Sequence, residues 1–343
     1  MASRCAIQPA LEHLDSARAH VIGGVLNRVK LDRHATHAES ARRTPYARRQ
    51  LAAAVNNTSP VSTADLGWTS VIRPTRSLFD LRLGQLWRSR DLISLFVWRD
   101  FVAVYKQTIL GPVWHVIQPL LTTLTFTIIF GRVAGLSTDG LPMFLFYMSG
   151  TVIWTYFSNC LTGTANTFLA NAGLYGKVHF HRLAIPVSVV ISKLISFTIQ
   201  LGLFVALLLY YADIGANVHP NVWLALCPLL LLMMAGYGLG FGIIVSALTT
   251  RYRDLAQLVA FGAQLWMYAT PVIYPMSSIP AKYRKVILLN PISSIVEAFR
   301  YGFLGAGTVE PVGLLYSAGL LCAVLVTGLL LFNRVERTFM DTI

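Results

Sequence analysis

Two histidines in one short segment are the residues whose types and spacing come closest to a metal site. His179 and His181 are two positions apart, and imidazole nitrogens are common zinc ligands. No third ligand or carboxylate stands near them at metal-binding spacing, so we interpret both as surface histidines. No paired spacing links the four cysteines, which are Cys5, Cys160, Cys227 and Cys322. The sequence therefore predicts neither a metal site nor a disulfide framework.

Nucleotide hydrolysis would require a glycine-rich phosphate loop. Gly173 and Gly176 precede Lys177, but their spacing differs from that of such a loop and no Ser or Thr follows the lysine. No Ser or Cys nucleophile comes with a base and an orienting group. We therefore predict that the chain is not an enzyme and holds no cofactor of its own.

Three ionisable residues stand inside otherwise apolar stretches. Glu297 and Arg300 are three positions apart, so they can pair on one face of a helix. A structural ion pair is favoured over a direct role in transport. Lys193 would be the best candidate for an ion-coupled carrier. It lies only a third of the way into its apolar run, however, and can extend to the membrane interface, which disfavours that mechanism.

The elements that carry these residues are membrane helices. The chain of 343 residues is 55% hydrophobic and 13% charged, whereas about 25% charged is usual for a soluble protein. Long uncharged runs such as Gln107–Gly131 exceed the roughly 20 residues that a helix needs to cross a bilayer. We predict an all-α integral membrane protein with six transmembrane helices, at about 113–133, 143–168, 184–211, 222–248, 255–275 and 312–332.

The basic residues indicate the orientation. If both termini are cytoplasmic, the segment before the first span, the inner loops and the tail hold 22 Lys and Arg residues, and the outer loops hold five. Without the long N-terminal segment the tally is six against five, so the orientation rests on the short loops. The net charge of +13 is explained by this topology without nucleic acid as a partner.

The residues before the first span divide into two parts. Residues 1–70 hold nine basic and five acidic residues, and we predict a disordered basic cytoplasmic extension; an interaction arm for anionic lipid or a partner is the less favoured interpretation. Residues 83–106 show a helical apolar pattern and predict an amphipathic helix that lies at the interface. Its interfacial residues are Trp87, Arg88, Trp98, Arg99 and Lys106.

Two loops differ from simple connections. Asn171–Arg182 mixes basic and aromatic residues, and the residues alone favour an anchoring role over a docking surface. Pro275–Gly313 is broken by prolines and glycines, and its apolar part, Val286–Phe303, holds two ionisable residues. These features fit a re-entrant helix pair on the outer side, between spans five and six, better than a seventh crossing.

Several motifs occur in an order that resembles one known family. They are YKQTILGPVWHVIQPLLTTLTFTIIFGR, GTVIWTYFSN, NAGLYGKVHFHRLAIPVS, TTRYRDL, ATPVIYP and LNPISSIVEAFRYGFLG. The chain is similar in this respect to polysaccharide-exporting permeases of the type-2 ABC transporter family. The resemblance covers about residues 75–337 and assigns residues 71–343 to the transmembrane domain of that family.

The resemblance implies a mechanism and a set of partners. Such a permease forms a homodimer in the bacterial inner membrane and pairs with two copies of a separate ATPase, which binds ATP and Mg²⁺. It exports a lipid-linked polysaccharide such as O antigen or capsule. The resemblance favours ATPase docking for the loop between spans two and three, whose coupling residues would be Gly173, Leu174, Tyr175, Gly176, Lys177, Val178, His179 and Phe180. The re-entrant pair would gate the outer end, with Glu297 and Arg300 in it.

A path for a sugar polymer needs aromatic faces, because the C–H faces of sugars pack on rings. The candidates are Tyr147, Trp154, Tyr156, Phe157, Trp266, Tyr268 and Tyr274, although aromatic residues are also common at membrane interfaces.

Three alternative functions remain open. One is a type-2 ABC permease for a teichoic acid, a glycolipid or a drug. The second, from a different class, is a membrane-embedded glycosyltransferase or lipid-modifying enzyme, for which the chain lacks evident catalytic carboxylates. The third is a non-catalytic assembly subunit.

Overall fold

The computed structural model describes residues 83–106, 111–171, 173, 182–249 and 254–342. Within these ranges every regular element is helical, as predicted. The helices are α1 (Leu83–Arg88), α2 (Arg90–Lys106), α3 (Trp114–Phe126), α4 (Met143–Ala165), α5 (Thr167–Ala170), α6 (Ala184–Asp213), α7 (Cys227–Thr249), α8 (Leu255–Tyr268), α9 (Ala281–Leu288), α10 (Pro291–Leu304) and α11 (Pro311–Thr342). The predicted extension, residues 1–70, lies outside the described residues.

Four helical segments are long and apolar enough to cross a membrane by length and composition. They are Trp114–Val133, Ala184–Asp213, Val222–Thr249 and Pro311–Arg334. Two of the six predicted spans are thus not among them. The helix α4 has 23 residues but carries polar side chains that face its neighbours. The helix α8 has 14 residues and ends at Tyr268, seven residues before the predicted boundary at 275.

The first membrane helix begins at a sharp change of direction. Gly111 has a φ of 45°, a backbone conformation that favours glycine, and a 3₁₀ turn over Gly111–Val113 leads into α3. Pro119 lies inside α3 and provides no backbone N–H to the helix. The last turns, Thr127–Val133, are wound as a π-helix. The Gly-Pro step of the sequence therefore lies at the start of the turn that leads into α3.

The buried helix α4 is the centre of the fold, because α3, α6, α7, α8 and α10 all pack on it. Ser149, Thr151 and Thr164 on this helix are buried. The hydroxyl of Ser149 donates to the carbonyl of Phe146 at 2.7 Å, and the Thr151 hydroxyl donates to the carbonyl of Met148 at 3.1 Å. Polar groups in a membrane protein are stable where they are bonded inside the bundle.

Alternating glycines on α7 let two neighbours approach closely. A Cβ on Gly238 or Gly242 would collide with Cys160 or Thr164 of α4. A Cβ on Gly240 would lie 2.8 Å from Val324 of α11. Glycines four apart share a face of the helix. Gly238 and Gly242 therefore face α4, whereas Gly236 and Gly240 face α11. Such small-residue faces allow tight helix contact in membranes.

The bundle has two distinct ends. At one, which we call the arginine end, residues 134–142, 214–226 and 269–310 contact one another around Arg300. At the other, which we call the Phe96 end, a cluster joins α2 to the bundle; its buried members are Phe96, Phe168, Leu183, Ile185, Ile243 and Phe332.

Candidate functional site

A buried ion pair occupies the arginine end. Arg300 is 1% exposed and Glu297 is 3% exposed, and both belong to α10. Arg300 Nη1 donates to Glu297 Oε1 at 2.8 Å. The predicted pairing is present. The gating role of these residues stays a prediction.

The guanidinium of Arg300 also joins two other parts of the chain. Its Nη2 donates to the carbonyl oxygens of Pro271 and Val272, each at 3.0 Å. Its Nε donates to Ser149 Oγ at 3.4 Å, and Cζ lies 4.0 Å from the ring centroid of Phe146. Burying a charge is costly unless it is paired and hydrogen-bonded. Here one guanidinium donates hydrogen bonds to a carboxylate oxygen, two carbonyl oxygens and a hydroxyl. It thereby connects α10, α4 and the turn after α8.

The local sequence of α10 explains why the pair stands where it does. Asn290 is the N-cap, with its side chain accepting from the backbone N–H of Ile292 at 3.2 Å, and Pro291 occupies the first helical position. Gly305, with a φ of 76°, ends the helix in the left-handed conformation. The Asn-Pro and Gly signals fix the length of α10, and its three-residue spacing places both ionisable groups on one face.

The turn that receives Arg300 is held from both sides. Asn290 Nδ2 donates to Thr270 Oγ1 at 2.8 Å. A Cβ added to Gly150 would lie 2.8 Å from the Val272 carbonyl oxygen and 3.1 Å from Arg300 Nη2. The turn approaches α4 this closely because position 150 has no side chain.

Further charges surround the pair. Ser277 Oγ donates to Asp139 Oδ1 at 2.6 Å, and the charge of Asp139 acts on both members of the pair. Asp139 has a φ of 54°, which is unusual for a residue other than glycine. The loop before α4 and the segment after α8 are thus joined beside the ion pair.

The predicted aromatic path residues fall into separate groups. Trp154 and Phe157 of α4 contact Trp266 of α8 edge to face, at centroid distances of 6.4 and 5.3 Å. Tyr147 packs on Phe126 and Phe146, and Tyr156 packs on Phe197. Four of the seven are buried within the single chain, namely Tyr147, Trp154, Tyr156 and Phe157. In this conformation those four rings have no open face, whereas Trp266 and Tyr274 are half-buried and Tyr268 is 45% exposed.

The segment predicted to be an interfacial helix, residues 83–106, is helical in two pieces, α1 and α2, with a turn at Ser89. Trp87 and Trp98 are 74% and 63% exposed, and Lys106 is exposed. The Arg99 guanidinium lies 5.0 Å from the centroid of the Phe96 ring. The side chain of Arg88 lies outside the described part.

The buried face of α2 is rotated relative to the sequence pattern. That pattern placed Ile93, Val97 and Phe101 on the apolar side, but they are only half-buried. Phe96 is the buried residue, at 7% exposed. The reason is tertiary, since Phe96 meets rings and aliphatic groups from α5, α6, α7 and α11.

Among the predicted coupling residues the structure describes Gly173 alone. It is helical and exposed, and nothing lies within 4 Å of a Cβ added there. The other seven lie outside the described residues.

Sequence reasoning did not find Ser149, Gly150 or the turn at Thr270–Val272. The contacts that unite them join residues 28 to 151 positions apart in the chain, so no local pattern connects them. The paired glycines of α7 were also missed, although the G-x-x-x-G spacing in an apolar helix was a usable signal.

Membrane-length helices packed around a buried ion pair define a multi-pass helical membrane protein. The sequence profile of the family described as ABC-2 type transporter matches residues 91–304, from α2 to the end of α10, and the chain belongs to this family.

Curated relatives match most of the chain. An O-antigen export system permease protein RfbA of Klebsiella pneumoniae is 30% identical over 253 residues, which are 73% of this chain and 94% of that protein. A protein of the same name from Myxococcus xanthus is 29% identical over 218 residues, 63% of this chain and 81% of its own. The polysialic acid transport protein KpsM of Escherichia coli is 23% identical over 237 residues, 68% of this chain and 89% of its own.

Proposed function

We propose that the chain is the permease subunit of an ATP-driven exporter that moves a lipid-linked polysaccharide, of the O-antigen or capsule type, across the bacterial inner membrane. The observation that carries the proposal is the extent of similarity to the RfbA proteins, which reaches 94% of the length of the Klebsiella protein. The relative KpsM, named for polysialic acid transport, adds a capsule-type polymer to the same family.

The architecture that we propose has six crossings and a re-entrant pair. The α9–α10 pair supports this, because its beginning and its end lie together: Arg284 Nη2 on α9 is 3.3 Å from Thr308 Oγ1, beyond α10. The tip of the pair, which is the turn between α9 and α10, lies deeper in the bundle, since Ser317 Oγ of α11 donates to the Pro291 carbonyl at 2.7 Å. Ser317 is six residues into α11, about 9 Å at 1.5 Å per residue. A segment that enters and leaves the bundle at the same end does not cross the membrane.

Six crossings place both termini on one side of the membrane, and the distribution of basic residues supports the cytoplasmic side. The Phe96 end then faces the cytoplasm, and the arginine end faces outward. In this orientation α1 and α2 lie at the inner interface with Trp87 and Trp98 as anchors. The buried pair Glu297–Arg300 holds the outer helix pair against α4 and would form part of an outer gate.

The partners that we propose are a second copy of this chain and two copies of a separate ATPase. Energy would enter through contact with residues 173–180, because ATP and Mg²⁺ would be bound by the ATPase and not by this chain. Residues 71–343 would form the transmembrane domain, and residues 1–70 a basic cytoplasmic extension.

The aromatic path is proposed in a narrower form. Trp266, Tyr268 and Tyr274 retain exposed surface on or beside α8, so they would contact sugars without rearrangement. The buried rings of α4 would do so only if the dimer or the ATP-bound state opens the packing around them.

Deletion of the gene in its native host tests the function directly. Intact cells are labelled with a probe for surface polysaccharide, and the total is measured after permeabilisation. We expect surface label to be lost while lipid-linked polymer accumulates inside, and both effects to be reversed by the wild-type gene. Unchanged surface polysaccharide would refute the proposed substrate and favour an ABC-2 permease for a different one.

A further inference from the structure

A lysine lies inside the third predicted span, residues 184–211, where the apolar interior of the membrane makes a charge costly. Lys193 is nine residues after the start of α6, about 14 Å along the axis at 1.5 Å per residue. It is half-buried. A Cβ built on Gly163 of α4 would be 3.6 Å from Lys193 Cε. The aliphatic part of the lysine therefore lies against α4 and does not simply extend along α6 to the interface.

Polar groups from a second membrane helix lie beside the lysine. His115 Nε2, near the start of α3, is 3.4 Å from Ser196 Oγ of α6, and both residues are half-buried. Ser196 is three residues after Lys193, so the two side chains share a face of α6. Helices α3 and α6 thus contribute to one polar cluster within the apolar part of the bundle, and α4 packs against the lysine.

One further hydroxyl of this cluster has no bonding partner. Ser192 Oγ is buried and makes no hydrogen bond. Ser192 and Ser196 are four residues apart, so they share a face of α6. A buried hydroxyl without a partner is destabilising, and a ligand with acceptor oxygens would supply the missing hydrogen bond.

Among the side chains that the structure describes, none forms an ion pair with Lys193. A charged lysine in the apolar part of a bilayer helix is costly. The cluster combines an ammonium, an imidazole and hydroxyls with no carboxylate, and this set of donors suits an anion with several oxygens.

We propose that α3 and α6 form a cleft that binds the phosphate of a lipid, with Lys193 as its principal charge and His115, Ser192 and Ser196 as hydrogen-bonding groups. The neighbouring outer surface is apolar, since Trp114 and Ile191 are 51% and 38% exposed. An acyl or polyprenyl chain can lie along that surface while the phosphate enters the cleft. Basic pockets between membrane helices bind anionic head groups in this way.

Two lipids carry this chemistry: a phospholipid of the bilayer and a polyprenyl diphosphate that bears the exported glycan. The second source rests on the proposed function; the phosphate site itself does not. In the proposed orientation Lys193 lies toward the cytoplasmic leaflet, where a lipid-linked glycan would be collected.

Binding to the purified wild-type complex tests the site. The permease, with its ATPase, is placed in nanodiscs of zwitterionic lipid and titrated with undecaprenyl diphosphate, with phosphatidylglycerol, and with undecaprenol as the matched alcohol. We expect the diphosphate to bind and the alcohol to bind at least about tenfold more weakly, which corresponds to about 1.4 kcal/mol. Equal binding of diphosphate and alcohol overturns the proposal, and this comparison requires no variant.

Variants then locate the site. Lys193→Met keeps the length of the side chain but removes the charge, and we expect it to weaken diphosphate binding about tenfold or more. Lys193→Arg should restore binding. Lys282→Met, an exposed lysine at the arginine end, is the control and should bind as the wild type does. Undiminished binding by Lys193→Met overturns the assignment.

The two lipid arms separate the sources. Loss of diphosphate binding alone in Lys193→Met assigns the cleft to the exported substrate. Parallel loss of phosphatidylglycerol binding assigns it to bilayer lipid and keeps the phosphate site. Because these are binding measurements, their failure is distinguishable from an unchanged surface polysaccharide in the deletion strain, which would refute the function and leave the binding result intact.

Discussion

Arg300 and Glu297 form an ion pair of 2.8 Å that is almost completely removed from solvent, with 1% and 4% of the two side chains exposed. The same guanidinium also donates to two backbone carbonyls of the turn after α8. Three elements therefore depend on one side chain, and the pair is a structural connection as well as a charge.

We expect Arg300→Met to destabilise the protein by about 3–5 kcal/mol, because it leaves the Glu297 carboxylate buried without its partner. The double variant Glu297→Gln with Arg300→Met should recover part of that loss, since neither charge then remains. Thermal unfolding of the purified protein, followed by size-exclusion chromatography after heating, measures the effect.

The matched control is Arg284→Met. Arg284 pairs with Glu310 at 3.4 Å, but 37% and 46% of these side chains are exposed. An exposed pair of this kind contributes about 0–1 kcal/mol, so the midpoint should hardly change. Equal destabilisation by the two arginine variants would show that burial of the Arg300 pair is unimportant.

The close contact of α7 with α4 leads to a second prediction. We expect Gly242→Ala to cost about 1–3 kcal/mol, since the new methyl group collides with Thr164 and overpacks the contact. Gly262→Ala on α8 is the control: nothing lies within 4 Å of the added Cβ, and alanine favours the helix. The thermal midpoint should fall for the first variant only; a similar fall for both would contradict the packing account.

The re-entrant pair predicts a specific pattern of accessibility. In a background without the four native cysteines, single cysteines replace Lys282, before the tip, and Glu310, beyond α10. A membrane-impermeant maleimide should label both from outside spheroplasts, whereas a cysteine at Gly173 should react only after permeabilisation. If Lys282→Cys and Glu310→Cys react from opposite sides, α9–α10 crosses the membrane and the six-span topology is wrong.

The loop between α5 and α6 should be necessary for coupling. We expect Tyr175→Ala with Lys177→Ala to abolish export while membrane insertion is retained, because the contact with the ATPase is lost. Surface polysaccharide and the amount of permease in the membrane fraction are measured together.

A control with the same residue types and spacing exists at the other end. Tyr283→Ala with Lys285→Ala removes an exposed tyrosine and an exposed lysine on α9. Export should continue in this variant. Normal export by the loop variant would argue strongly against docking through residues 173–180.

Much of this protein was predictable because its strongest signals are local. Uncharged runs of membrane length and the i, i+3 spacing of Glu297 and Arg300 each depend on a few neighbouring residues. They correctly predicted the helical class and the ion pair. Family membership followed from the order of short motifs, which requires no coordinates.

Other features were beyond local reasoning. The apolar pattern of α2 did not single out Phe96, because the buried face of this helix is set by partners from α5, α6, α7 and α11. The aromatic residues of α4 looked suitable for a sugar path, but most of them are buried against neighbouring helices.

Thus the sequence by itself determined the helical class, the apolar segments of membrane length and the family to which the protein belongs, because hydrophobic length, helix signals and motif order are all written along the chain. The tertiary structure alone decided that Arg300 joins α4 to the turn at Pro271–Val272, and that Ser196 of α6 lies beside His115 of α3. In both cases the contacts join residues that are distant in the chain, and only packing of the helices brings their polar groups within reach of one another.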